Sequence, residues 1–230
     1  MSNISQALHT ISISFIPILL GMICHEVAHG WVAYKMGDPT AKRLGRLTMN
    51  PLVHLDTVGT LMFILTAVGS GISGHMFIFG WAKPVPINPS MFRKFRQGMF
   101  AVSIAGAVAN ILLAVGFALL LRLLLLLSSK GPEPLMFLSN GFVINTCVMG
   151  VFINCTLALF NLIPIPPLDG SKVLASVLPA PVARSYFTLE RYGMIIVIVL
   201  LATGMLGKLL GPMVFNTAGT ILRAVGLSLW

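Results

Sequence analysis

The sequence has 230 residues, 57% of them hydrophobic, and only 9% carry a formal charge. A water-soluble domain carries about 25% charged residues, so this chain cannot cover itself with a hydrated surface and reads as an integral membrane protein. Its net charge of +9 comes from fifteen Lys and Arg against six acids, yet the bases fall between apolar runs, where cytoplasmic loops concentrate them, which argues against a nucleic-acid partner.

The N-terminus shows no basic n-region and no small-residue cleavage site, so the first helix is expected to stay on the protein. Residues 4–36 form the first span. Inside it, residues 16–34 (IPILLGMICHEVAHGWVAY) place His25, Glu26 and His29 in a run that is otherwise apolar. Ionisable groups are costly in hydrocarbon and mark function when they occur there. At i and i+4 the two histidines share one helix face and can hold a single metal ion, with Glu26 beside them to take a proton from a metal-bound water. His-Glu-x-x-His is the zinc-hydrolase signature. Cys24 adjoins His25 but points ~100° away on a helix, a poor direction for a ligand. Cys147 and Cys155 lie in apolar stretches and read as small membrane-core residues.

Gly37-Asp38-Pro39 stops the span. The segment at 40–56 is basic and is expected on the cytoplasmic side. Within it, His54 and Asp56 are candidates for a second metal or a gate, or Asp56 simply caps the next helix. Residues 57–82 are apolar but short and glycine-laden, with basic flanks on both sides. Both flanks favour one face, so the segment is expected to leave and return, as a re-entrant or hairpin-like excursion. Pro84, Pro86 and Pro89 break helix, which makes residues 83–88 extended.

Residues 98–127 form an unbroken span, followed by a base-poor external loop at 128–134. Residues 136–163 return to the cytoplasmic side and end in NLIPIPPLDG. Two histidines leave a catalytic zinc one protein ligand short. Asp169 is the candidate third: it follows Pro164, Pro166 and Pro167, which unwind the helix at the leaflet that holds the histidines. The plainer alternative is a helix stop with Asp-Gly as a turn. Residues 171–191 read as cytoplasmic, 192–210 as another crossing, and 213–230 as a further span or an interfacial helix.

Together, His25-Glu26-Val27-Ala28-His29 and Asn161-x-x-Pro164-x-Pro166-x-x-Asp169-Gly170 resemble the site-2 protease family, intramembrane zinc metalloproteases, in its compact bacterial form without PDZ or CBS domains. The resemblance runs from the first span to about residue 173. It implies one Zn²⁺ per chain on His25, His29 and Asp169, Glu26 as general base and acid, and Asn161 on the substrate backbone. The compact bacterial form implies an inner-membrane location, and the basic segment after the first span puts the active site nearer the cytoplasmic leaflet. Gly106-Ala107-Val108-Ala109-Asn110 resembles the family's Gly-Pro-x-x-Asn/Ser segment, with alanine in place of proline. Asn110 is then a partner of substrate or oxyanion, or a helix–helix hydrogen bond. Gly80-Trp-Ala-Lys-Pro84-Val85-Pro86 resembles the family's embedded strand region, which would pair Pro84 and Val85 with an unwound substrate; the alternative is a plain cytoplasmic turn.

The expected architecture is therefore an all-α polytopic membrane protein. It has about four to six transmembrane helices and one re-entrant or β-hairpin-like segment, in a single domain with its catalytic core at about 4–173 and its C-terminal helices at about 192–230. The expected partners are the bilayer and a membrane protein with a transmembrane segment. Two other classes suit His and Asp in a membrane. A metal-ion transporter would need several ligand sets along a route; a non-proteolytic scaffold for membrane helices would have no use for Glu26.

Overall fold

The computed structural model describes residues 3–62, 65–66, 80–130 and 141–227. Its helices are α1 (Asn3–Met36), α2 (Thr40–Arg43), α3 (Pro51–His54), α4 (Phe95–Lys130), α5 (Gly141–Asn161), α6 (Asp169–Val177), α7 (Ala180–Phe187), α8 (Glu190–Ala202) and α9 (Met205–Ala224). Residues 57–62 add a short helical piece, and Pro89–Met91 a 3₁₀ turn. Among the described residues, three helices are long and apolar enough to cross a bilayer, or four if α7 and α8, bent by 60°, make one broken span. Such helices satisfy their backbone polar groups internally, which lipid requires.

The centre of the molecule is a packed triad of α1, α4 and α5. Small residues let these helices approach closely, as packing in lipid favours. Ala114, Ala118, Cys155 and Ala158 are fully buried, and a Cβ on Gly150 would run into the Phe117 ring. The outer faces carry exposed Leu112, Leu119, Leu123, Ile195 and Leu209, which water would penalise and hydrocarbon accommodates.

The expected crossing at 192–210 is not one helix. It breaks after Ala202, because Gly204 adopts a left-handed conformation (φ +70°) and turns the chain into α9. A helix of 13 residues spans only about 20 Å, short of the ~30 Å hydrocarbon core. From the turn, α9 lays Leu206, Leu210, Val214, Ala218 and Leu222, one residue every four, into the apolar core it shares with α4 and α5.

Residues 63–64 and 67–79, within the expected excursion, and residues 131–140 lie outside the described residues. The excursion's two ends do meet. Leu55 and Ala82 form an antiparallel bridge, and the Lys83 N–H donates to the His54 carbonyl at 2.8 Å. The chain therefore comes back to where it left, as the matched basic flanks suggest.

Beyond the bridge, residues 83–88 form no helix or strand, with Asn88 extended, and are fastened at both ends. Buried Arg46 donates from Nη2 to the Lys83 carbonyl at 2.9 Å. Asp38, fully buried, accepts from the Asn88 N–H at 2.6 Å and from both the N–H and hydroxyl of Thr40. Burial opposes ionisation of Asp38, but these hydrogen bonds outweigh it and hold the carboxyl below its ordinary value of 3.8.

A carboxyl whose pKa falls on folding stabilises above its unfolded pKa and loses that contribution as pH drops through the folded one. Asp38→Ala is expected to cost about 2 kcal/mol, because charged hydrogen bonds are lost. The difference in melting temperature between wild type and Asp38→Asn should shrink as pH is lowered below 3.8. Thermal denaturation in detergent across that range checks both.

Candidate metal centre

His25 and His29 sit one turn apart on α1, with ring planes 85° apart and Nε2 atoms 3.0 Å from each other. Asp169 reaches the same point from the far side of the bundle. Its Oδ2 lies 3.1 Å from His25 Nε2 and 2.9 Å from His29 Nε2. All three residues are buried, and they are the group among the described residues that can hold a metal ion.

The three prolines explain the reach of Asp169. They end α5 at Asn161 and carry the chain through tight turns, with Pro166–Pro167 cis, so that Asp169 opens α6 instead of closing α5. Gly170 is required there, because a Cβ would collide with the Leu162 and Ile163 carbonyls. The plain helix-stop reading of Asp169 thus gives way to a helix start that aims the carboxylate inward. Burial opposes its ionisation. The charge of Lys172, whose Nζ is 3.1 Å from Oδ1, favours the ionised form.

Helix α4 orients both rings. His29 Nδ1 faces the Val102 carbonyl at 2.7 Å, and His25 Nδ1 faces Asn110 Oδ1 at 2.7 Å. Midway between them, Gly106 lets the His25 ring lie against the α4 backbone; its Cβ would occupy the ring itself. Positions 102, 106 and 110 fall on one helix face, two turns long.

This arrangement fits a metal. A carbonyl only accepts, so His29 carries its proton on Nδ1 and turns a lone pair inward from Nε2. Three electron-rich atoms then converge with no counterpart between them, an arrangement a cation stabilises. A tetrahedral zinc with bonds of about 2.0–2.1 Å would hold its ligand atoms about 3.3 Å apart. The observed separations of 2.9–3.1 Å are a few tenths shorter. Two imidazoles and one carboxylate are also a catalytic zinc donor set.

The centre opens on a cavity of about 260 Å³ whose walls include Met22, His25, Glu26, Trp81, Asn161 and Val197. Glu26 and Asn161 are half-buried at that wall. Asn161 donates from its amide to the Leu157 carbonyl one turn back, at 2.9 Å. Glu26 Oε2 accepts the Val85 N–H at 2.8 Å, so the segment at 83–88 clasps this carboxylate from outside.

Other expectations meet different geometry. Asn110 is fully buried and engaged with His25, Gly21 and Asn154, so it has no surface to offer a substrate; it belongs behind the histidine. The Val85 N–H is held by Glu26 and the Pro84 carbonyl faces Arg46 at 3.4 Å, so neighbouring Gly80, Trp81 and Ala82 form the cavity wall instead. Asp56 accepts the Gly59 N–H at 2.8 Å, ordinary helix capping. His54 is buried with Nε2 on the Thr48 carbonyl at 2.8 Å, apart from the ligand cluster.

Against known proteins, the family model for Peptidase family M50 matches residues 134–206, a stretch that contains Asn161 and Asp169. "Putative zinc metalloprotease YwhC" of Bacillus subtilis (strain 168) is 38% identical over 209 residues, 90% of this chain and 88% of that protein. The chain belongs to peptidase family M50. "Putative zinc metalloprotease Rip2" of Mycolicibacterium smegmatis is 30% identical over 193 residues, 83% of this chain and 66% of that protein. Its namesake from Mycobacterium tuberculosis is 24% identical over 186 residues, 79% and 63%. No solved structure matches the chain. This M50 member is a metallopeptidase, a hydrolase of peptide bonds, embedded in a membrane by its apolar helices.

The contribution of Val102 escaped the sequence reading because any residue supplies a carbonyl. Gly106 carried a signal, since a glycine four residues from a polar Asn in a membrane helix marks a close approach. Gly106→Ala is expected to push the His25 ring off its seat and lower the zinc retained on purification well below the wild-type level. Helix content should hold. Elemental analysis with circular dichroism checks this; full zinc retention would contradict it.

Proposed function

We propose that this protein is a zinc metalloendopeptidase that cuts peptide bonds within or beside transmembrane segments of other membrane proteins. The observation that carries the reading is the meeting of His25, His29 and Asp169 on one point beside the apolar, half-open cavity that holds Glu26. Held by these three residues, zinc supplies an activated water and polarises a peptide carbonyl.

The chain's own groups do the rest. Glu26 borders the cavity directly after His25, and takes the proton of the attacking water, then passes it to the leaving amine. The Val85 N–H keeps that carboxylate turned toward the cavity. Asn161, on the wall of the same cavity, offers its amide to the substrate backbone. Hydrolysis needs an extended substrate, because helical hydrogen bonds hide the scissile carbonyl; the main chain at 80–82 borders the cavity as a neighbour for it. Apolar walls keep bulk water from the proton transfers.

A bacterial inner-membrane setting, with the centre toward the cytoplasmic leaflet, has support from charge. Lys42, Arg43 and Arg46 follow the end of α1 that carries the histidines. Lys83, Arg93, Lys94 and Arg96 precede or open α4, and Lys172, Arg184 and Arg191 follow Asp169. Basic residues gathered at one end of a bundle mark the cytoplasmic side. A single membrane-embedded protease domain accommodates these elements. Ion transport fits less well, since the described residues hold one ligand cluster and not a series.

Replacing Glu26 by Gln should lower cleavage of a membrane-tethered reporter by roughly 10²–10⁴-fold, with zinc content unchanged. Chelation should abolish cleavage, and added zinc should restore it. Undiminished cleavage by Glu26→Gln, measured on the purified protein in vesicles, would reject the role given to this carboxylate.

A further inference from the structure

We propose that Asn110 is a positioning residue for the metal centre: its side-chain amide fixes the His25 tautomer that turns Nε2 toward the ion, and Asn154 fixes the amide. This rests on the reading that His25, His29 and Asp169 hold zinc. His29 needs no such device, because the Val102 carbonyl can only accept. Asn110 presents an amide, and an amide can offer oxygen or nitrogen to a neighbour.

Here the orientation is forced. Asn110 Nδ2 has two acceptors, the Gly21 carbonyl at 3.1 Å and Asn154 Oδ1 at 3.0 Å. Asn154 is itself held one way round, because its Nδ2 donates to the Gly150 carbonyl at 2.9 Å. Donation therefore runs in one direction. Asn154 donates to Gly150, Asn110 donates to Asn154 and Gly21, and His25 Nδ1–H donates to Asn110 Oδ1 at 2.7 Å. Turning the Asn110 amide over would set its oxygen against two oxygens, those of Gly21 and Asn154. Both asparagines are 0% exposed, so no water relieves such a clash.

The proton on Nδ1 leaves the Nε2 lone pair facing His29 Nε2 and Asp169 Oδ2. The relay crosses α1, α4 and α5, so the docking of all three helices is linked to the tautomer of one ligand. Buried amides in membrane bundles also tie helices together without further purpose. The two roles separate by measurement. A tether depends on the donors of Asn110; a positioning residue depends on its acceptor.

The experiment uses the full chain in detergent, with zinc affinity measured by competition against a chelator and melting temperature measured in parallel. Asn110→Leu removes donors and acceptor, and should raise the zinc Kd by roughly 10–100-fold. Asn110→Asp keeps an acceptor against His25 Nδ1 and gives up the donors. It should lose melting temperature as the Leu variant does while binding zinc within about threefold of wild type, since a carboxylate is an established partner of a ligating histidine. Equal loss of zinc in the two variants, or loss in neither, overturns the proposal. Should Asn110→Leu fail to fold, Asn154→Ala serves: it leaves the His25 contact and removes one of the two acceptors that hold the amide, the Gly21 carbonyl being the other. A severalfold rise in Kd is expected, and an unchanged Kd overturns the proposal. A wild type that takes up no zinc overturns the metal reading as well, so the two failures are distinguishable.

Discussion

Three electron-rich atoms, two imidazole nitrogens and one carboxylate oxygen, are held about 3 Å apart inside an apolar helix bundle. Left alone they repel, and burial strengthens that repulsion because little solvent screens it. Much of the surrounding architecture answers to this constraint. The proline-rich turn exists at the one place where a carboxylate must leave a helix end and point back into the bundle. Gly106 and Gly170 lie where a side chain would block the ring or the turn. Arg46 and Asp38 fasten the segment at 83–88 whose N–H holds Glu26.

Helix α4 is the template on which the centre is assembled. It contributes no ligand, yet it orients both histidine rings, one through a backbone carbonyl and one through an amide. The cavity is bordered by α1, residues 80–82 and the end of α5. The division is a physical one. Val102 and Asn110, which orient the rings, are buried in the triad, while Glu26 and Asn161 are half-exposed at the cavity wall.

Much of this was legible in the sequence wherever covalent spacing or composition sets the geometry. His25 and His29 share a face because a helix repeats every 3.6 residues. Asp169 stood out because three prolines next to an apolar run forbid a continued helix. The membrane class followed from the low charge content, and its helical form from apolar runs long enough to cross a bilayer. Three things were not legible. The break at Gly204 was hidden because a glycine in an apolar run reads equally well as helix interior. The place of Asn110 depends on the rotational register of α4 against α1, which local sequence does not state, so a substrate contact and a position behind His25 looked alike. Val85 read as an edge for substrate, because nothing local reveals that Glu26 takes its N–H.

The most direct test is the zinc K-edge absorption spectrum of the purified, zinc-loaded protein. The structure requires nitrogen and oxygen ligands at about 2.0–2.1 Å, with the scattering signature of two imidazoles in wild type and of one in His29→Ala. A sulfur ligand, as from Cys24, or an imidazole count that His29→Ala leaves unchanged, would contradict a centre built from His25, His29 and Asp169.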